Sequence, residues 1–174
     1  MTVIEFLEQL KTLTGGKIIK EDGMGNITDV KSRPFSRLYA GYKKHYIKVD
    51  FIDATELLLE VNMAPPHRLL LRPENVVSKF LDKVSLSAEI KVGDEEFDSK
   101  YIVQNVSVAE AQKTVNEKFK EALKTLEPFL FFEMTGNEYK LVKRVDIQSG
   151  YKPRNALSDL DNLLLLVDRT KGKA

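Results

Sequence analysis

Between Lys17 and Val142 apolar and polar residues mostly alternate, whereas at both ends, and in two stretches between, the apolar ones recur every three or four positions. A period of two sends successive side chains to opposite faces of a strand; a period near 3.6 gathers them on one face of a helix. The first helical stretch opens with Thr2 as cap and Glu5 three residues on, a pairing that satisfies two otherwise orphan amides. Ile4, Leu7 and Leu10 then share a face, and Gly15-Gly16 supplies the stop. Ile18-Ile19 and Ile27 flank Glu21 to Asn26, where two glycines and Asn26 tolerate positive φ, so a turn between strands is predicted. Ile47, Val49 and Phe51 alternate with Lys48 and Asp50, and Leu57, Leu59, Val61 and Met63 alternate with Leu58, Glu60 and Asn62. That is the pattern of half-buried antiparallel sheet.

Pro65-Pro66 ends this run, since neither proline donates to a ladder; His67 to Arg72 reads as a short strand before Pro73, and a helix over about 74–83 follows. The strongest helix is predicted over about 107–127. Ser107 caps it, Glu110 closes the box, Val108, Ala111, Val115, Phe119, Ala122 and Leu126 form its stripe, and Pro128 ends it. Phe129 to Met134 and Tyr139 to Val142 read as a hairpin around Thr135-Gly136-Asn137-Glu138. After Gly150 and Pro153 a last helix carries Leu157, Leu160, Leu164 and Val167 on one stripe, widened by Leu163, Leu165 and Leu166, with Arg169, Lys171 and Lys173 near its negative end. The expected fold is α+β: one domain, 1–174, in which a mainly antiparallel sheet is covered by the long helix and closed by N- and C-terminal helices.

Composition narrows the function classes. The chain has 174 residues, 43% of them hydrophobic and 30% charged, a globular balance. Its 27 basic and 26 acidic residues leave a formal charge of +1, without the global field that draws a chain onto DNA or anionic lipid. No nucleic-acid partner is therefore expected. Zero cysteines remove disulfides, thiolate metal sites and cysteine nucleophiles together, and fit a reducing compartment. Met1 to Leu13 carries Glu5 and Glu8 and no basic leader, and Leu163 to Val167 is too short to cross a bilayer. A soluble, cytoplasmic chain with no transmembrane segment is expected.

The densest chemistry lies at Gly93 to Tyr101, where Asp94, Glu95, Glu96 and Asp98 surround Phe97 and precede Tyr101. Hard cations want several oxygen ligands at once, so these four are the metal candidates. Calcium loops, however, space their acids so that alternate side chains converge. The better reading is a capped turn: Asp94 caps, Glu95 and Glu96 sit at the positive end of a helical turn, and Phe97 packs inward. No metal or cofactor is expected. Asp22 to Asn26 lacks the strand and helix that a phosphate-binding loop needs. His45 and His67 are the two histidines, and no serine sits in a Gly-x-Ser-x-Gly setting. Asp50, Asp53, Glu56 and Glu60 are close enough in sequence for paired-carboxylate chemistry, but read as outward-facing strand acids. Lys43 and Lys44 beside Tyr42 and Tyr46 are the nucleic-acid candidates, because ammonium groups hold phosphate while tyrosines stack on bases; a lysine-rich hairpin tip explains them equally. Leu163, Leu165 and Leu166 exceed one core stripe and suggest a homodimer through the last helix.

Tyr39-Ala40-Gly41-Tyr42, the strand near Leu57 to Val61, Leu69-Leu70-Leu71-Arg72-Pro73-Glu74, the Gly-Asp-x-x-Phe-Asp motif of Gly93 to Asp98, and Tyr101-Ile102-Val103 together resemble a group of uncharacterised prokaryotic domains, a domain of unknown function. The resemblance covers about 38–142. It implies a strand, a short helix and the acidic-aromatic turn ahead of a strand, a hydroxyl-capped helix and a hairpin. It carries over no activity, cofactor or binding residue. Many members of that group look membrane-tethered through flanking hydrophobic segments, which this sequence lacks. A rigid sheet with helix faces, and no convergent catalytic set, points to a non-catalytic interaction or scaffold domain. The alternative is a small-molecule or lipid-binding module with an apolar pocket between sheet and helix.

Overall fold

Thr2 opens the first helix as the sequence predicts. In the computed structural model, which describes residues 1–21, 35–74 and 88–170, α1 spans Val3–Thr14, the Thr2 hydroxyl accepts from the Glu5 amide, and the Glu5 carboxylate accepts from the Thr2 amide at 2.7 Å. Gly15 stops it at φ +74°, and Gly16 (φ +96°) lies so close to β2 that an added Cβ would come within 2.2 Å of the Tyr39 carbonyl. Eight strands follow: β1 (Lys17–Glu21), β2 (Phe35–Tyr42), β3 (His45–Asp53), β4 (Glu56–Asn62), β5 (Leu69–Pro73), β6 (Tyr101–Gln104), β7 (Phe131–Thr135) and β8 (Glu138–Arg144). They form one antiparallel sheet in the order β1-β2-β3-β4-β8-β7-β5-β6. The remaining helices are α2 (Glu95–Asp98), α3 (Val108–Thr114), α4 (Glu117–Lys124) and α5 (Pro153–Thr170). The protein is α+β. The predicted turn at 21–26 and helix at 74–83 fall outside the described residues, apart from Glu21, which ends β1, and Glu74.

The alternation read from the sequence decides which face is which. Leu57, Leu59 and Val61 of β4 and Phe132, Met134, Tyr139 and Leu141 of β7 and β8 join the main core with α1, α4 and α5. Their neighbours Leu58, Phe131 and Val142 point the other way, into a smaller cluster with Leu70 and Leu130. On that second face the register lines up Lys48, Glu60, Lys140 and Glu133 across four strands, with alternating sign. Lys48 pairs with Glu60, Arg37 holds Asp50 at 2.7 Å, and Arg144 lies 3.8 Å from Glu56. The expectation of outward-facing acids is corrected here: Asp50, Glu56 and Glu60 are buried, and opposite charges on neighbouring strands make that tolerable.

Two further expectations change. The helix predicted over 107–127 is two helices. Val115 leaves helical geometry at ψ +56°, and Asn116 caps α4 by accepting from the Phe119 amide at 3.1 Å. The apolar stripes of the two pieces stay in phase, so periodicity alone does not reveal the break. The last helix also uses its leucines internally. It packs against α1 on one side and α4 on the other, so Leu163 and Leu166, proposed for a homodimer surface, are fully buried, and only Leu165 stays 40% exposed. Polar groups set its register: Lys143 and Asp159 form a buried ion pair at 2.7 Å, the Tyr151 hydroxyl donates to Asp159 at 2.6 Å, and the hydroxyls of Tyr139 and Thr170 meet at 2.7 Å. Burial first, then Asp159, pushes the Tyr151 hydroxyl far up from its ordinary pKa. Among the described residues no helix is long and apolar enough to cross a membrane.

Candidate functional site

The Gly93 to Tyr101 motif forms one wall of a cleft. Gly93 adopts φ +88°, which turns the chain into α2. Asp94 caps that turn by accepting from the Phe97 amide at 3.0 Å, and Asp98 reaches back to accept from the amides of Val92 and Gly93 at 2.9 and 3.0 Å. Gln112 of α3 donates to the Val92 carbonyl at 3.3 Å and fixes the turn to the helix layer. The metal candidates Asp94, Glu96 and Asp98 are thus engaged by the protein itself. Asp94 pairs with Lys120, Glu96 with Lys100 at 2.7 Å, and Glu95 is exposed.

Opposite the turn stands α4, whose i, i+3, i+4 spacing points Glu117, Lys120, Glu121 and Lys124 toward the cleft. The floor is aromatic. Tyr101 lies between Phe97, with ring centroids 4.8 Å apart, and Phe129, stacked at 6.0 Å and 7°. The Tyr101 hydroxyl donates to Glu127, at the end of the α4 segment. Two adjoining cavities share Lys100, Tyr101 and Glu127: one of about 130 Å³ between α2 and α4, and one of about 420 Å³ lined also by Pro73, Pro128 and Phe129. The alternative reading expected an apolar pocket between sheet and helix; charged side chains dominate the lining of the first cavity.

Each resolved protonation shift in the cleft runs away from neutrality. Lys120, then the Phe97 amide, lowers the Asp94 pKa. Lys100 lowers that of Glu96, and Glu96 in turn raises Lys100. Asp94 and Glu117 raise Lys120, while burial and then Glu127 push the Tyr101 hydroxyl well above its ordinary value. At neutral pH these groups keep fixed charges: carboxylates ionised, ammoniums protonated, the phenol neutral. Such a set can hold a ligand by hydrogen bonds and charge.

The other predicted residues lie elsewhere. Lys43 and Lys44 form the tip of the β2–β3 hairpin at φ +46° and +69°. The Tyr42 hydroxyl and the Lys43 ammonium both reach Asp161 of α5, each at 2.8 Å, so they tie the hairpin to the helix layer. Tyr46 is 76% exposed beyond the tip. The four do not converge on a base-stacking groove. His67 is hydrogen-bonded to the Thr114 hydroxyl at 2.8 Å. Sequence reasoning found the turn but missed Lys120, Lys124, Glu127 and Phe129, which face it from across the cleft. The polar stripe of α4 is the available signal, obscured because the helical period runs unbroken over 107–127.

No protein-family pattern matches the sequence, and comparison with curated proteins finds no match. Among solved structures the fold is similar to the crystal structure of the mycobacterial trehalose monomycolate transport factor A, TtfA, with a TM-score of 0.70 over 96% of this chain and 93% of that one, at 8% sequence identity. At that identity the likeness establishes the fold alone.

Proposed function

We propose that the protein is a non-catalytic binding domain whose ligand occupies the α2–β6–α4 cleft. One observation carries this reading: Asp94, Glu96, Lys100, Lys120 and Tyr101, on both walls and the floor of the cleft, are held in place by partners of the same chain before any ligand arrives. Preorganisation of this kind favours binding, since less ordering cost falls due on association. The fold it shares with the mycobacterial transport factor is consistent with a role in handling or tethering a partner rather than transforming it. A cytoplasmic setting and a scaffold role belong to the same proposal, supported by the balanced charge and by the described helices, none of which could span a bilayer.

A fragment screen read by amide chemical shifts tests it. Fragments are expected to perturb the amides of 96–101 and 120–129 together. Clustering instead at the depression lined by Gln9, Leu13 and Pro153, between α1 and α5, would refute the assignment.

A further inference from the structure

Resting on the binding reading above, the geometry points to a cationic occupant: we infer that the cleft takes an arginine side chain presented by an extended segment of a protein partner. Charge complementarity is the first argument. Five carboxylates and three ammonium groups line the α2–α4 cavity. Lys120 is committed to Asp94 and Glu117, and Lys100 to Glu96. That leaves Glu121 and Glu127 against Lys124, so this cleft is locally acidic on a chain whose formal charge is +1. An added carboxylate or phosphate would face a surplus of its own sign; an added cation would relieve it.

Shape supplies the second argument. Glu127 accepts a hydrogen bond from the neutral Tyr101 hydroxyl with one oxygen, leaving the second carboxylate oxygen for an incoming donor. Beside it, Pro73, Pro128 and Phe129 offer an apolar wall along the adjoining cavity of about 420 Å³. An occupant needs a methylene stem for that wall and several donors at its end, one set for Glu127 and one for Glu121. Arginine has both, with five N–H groups in a planar fork and an aliphatic stem. The cleft is open to solvent along α4, so an extended segment can pass over it while one side chain descends.

Titration of the full chain with three capped alanine tripeptides, carrying arginine, norleucine or glutamate at the centre, tests this by amide shifts. The arginine peptide should perturb residues 97–101 and 123–129 and bind about tenfold more tightly than the glutamate peptide, as two exposed carboxylates can supply. Glu127→Gln, which keeps an acceptor for Tyr101, should reduce that preference to about twofold, with Glu121→Gln acting in the same direction. If the glutamate or norleucine peptide binds the cleft as well as the arginine peptide, the cation inference is overturned while the binding reading stands. If no peptide shifts the cleft at about 10 mM although fragments do, the peptide partner is overturned and the binding reading again survives. Shifts confined to other surfaces would remove both.

Discussion

Phe97 shows how one residue couples the fold to the cleft. It is 5% exposed, packs on Tyr101, and sits below the Lys120 ammonium, which lies 6.0 Å from its ring centre. Truncation therefore removes core contacts and loosens the floor together. Phe97→Ala should cost about 3–5 kcal/mol in denaturant unfolding, whereas Glu95→Gln, on an exposed carboxylate beside it, should change stability by less than about 0.5 kcal/mol. Asp94 adds a pH signature. Its folded pKa lies below the ordinary 3.8 because Lys120 and the Phe97 amide favour the anion. A depressed carboxylate contributes stability in full above its unfolded pKa and loses it as pH falls through the folded value. Asp94→Asn keeps the cap and removes the charge. Melting temperatures of the two proteins should differ by a constant amount from neutrality down to about pH 4, then converge at lower pH.

At the scale of elements, the α3–α4 break and the α5 stripe carry the argument. Asn116 closes one helix and opens the next, so Asn116→Ala should cost about 1 kcal/mol, measured by chemical unfolding. The leucines of α5 separate by burial: Leu163→Glu and Leu166→Glu place a charge in the core and should abolish the cooperative melt, while Leu165→Glu should leave it within about 0.5 kcal/mol of the parent. Much of this level was legible in the sequence. The Thr2 and Ser107 capping boxes, the alternation in β3 and β4, and the β7–β8 hairpin all stand where local residues put them. The α5 leucines were misjudged because a stripe's width shows how much surface a helix buries, and not whether the neighbour is a partner chain or, as here, α1 and α4 of the same chain. The buried Asp159 was invisible for a similar reason. Its partners Lys143 and Tyr151 lie on other segments, and nothing local marks an acid in a leucine-rich helix as paired.

For the whole molecule, the eight-stranded order brings β5 and β6 to one edge, and there the turn of α2, the end of α4 and the Pro128 loop meet. The cleft is thus a product of topology: residues 94–101 supply one wall and residues 117–129 the other. The sequence exposed the first wall, because its acids and aromatics are contiguous, and hid the second, whose relevance depends on a long-range contact. The central claim, that this edge and not another surface receives the ligand, has a direct test in a chain without cysteine. Lys124→Cys puts a unique thiol in the cleft, and Gln9→Cys puts one in the α1–α5 depression. Screening both against one disulfide-fragment library under partly reducing conditions, with intact mass as the readout, should show stable capture at position 124 by fragments that position 9 does not retain. Equal capture at the two positions, or capture favouring position 9, would contradict the account.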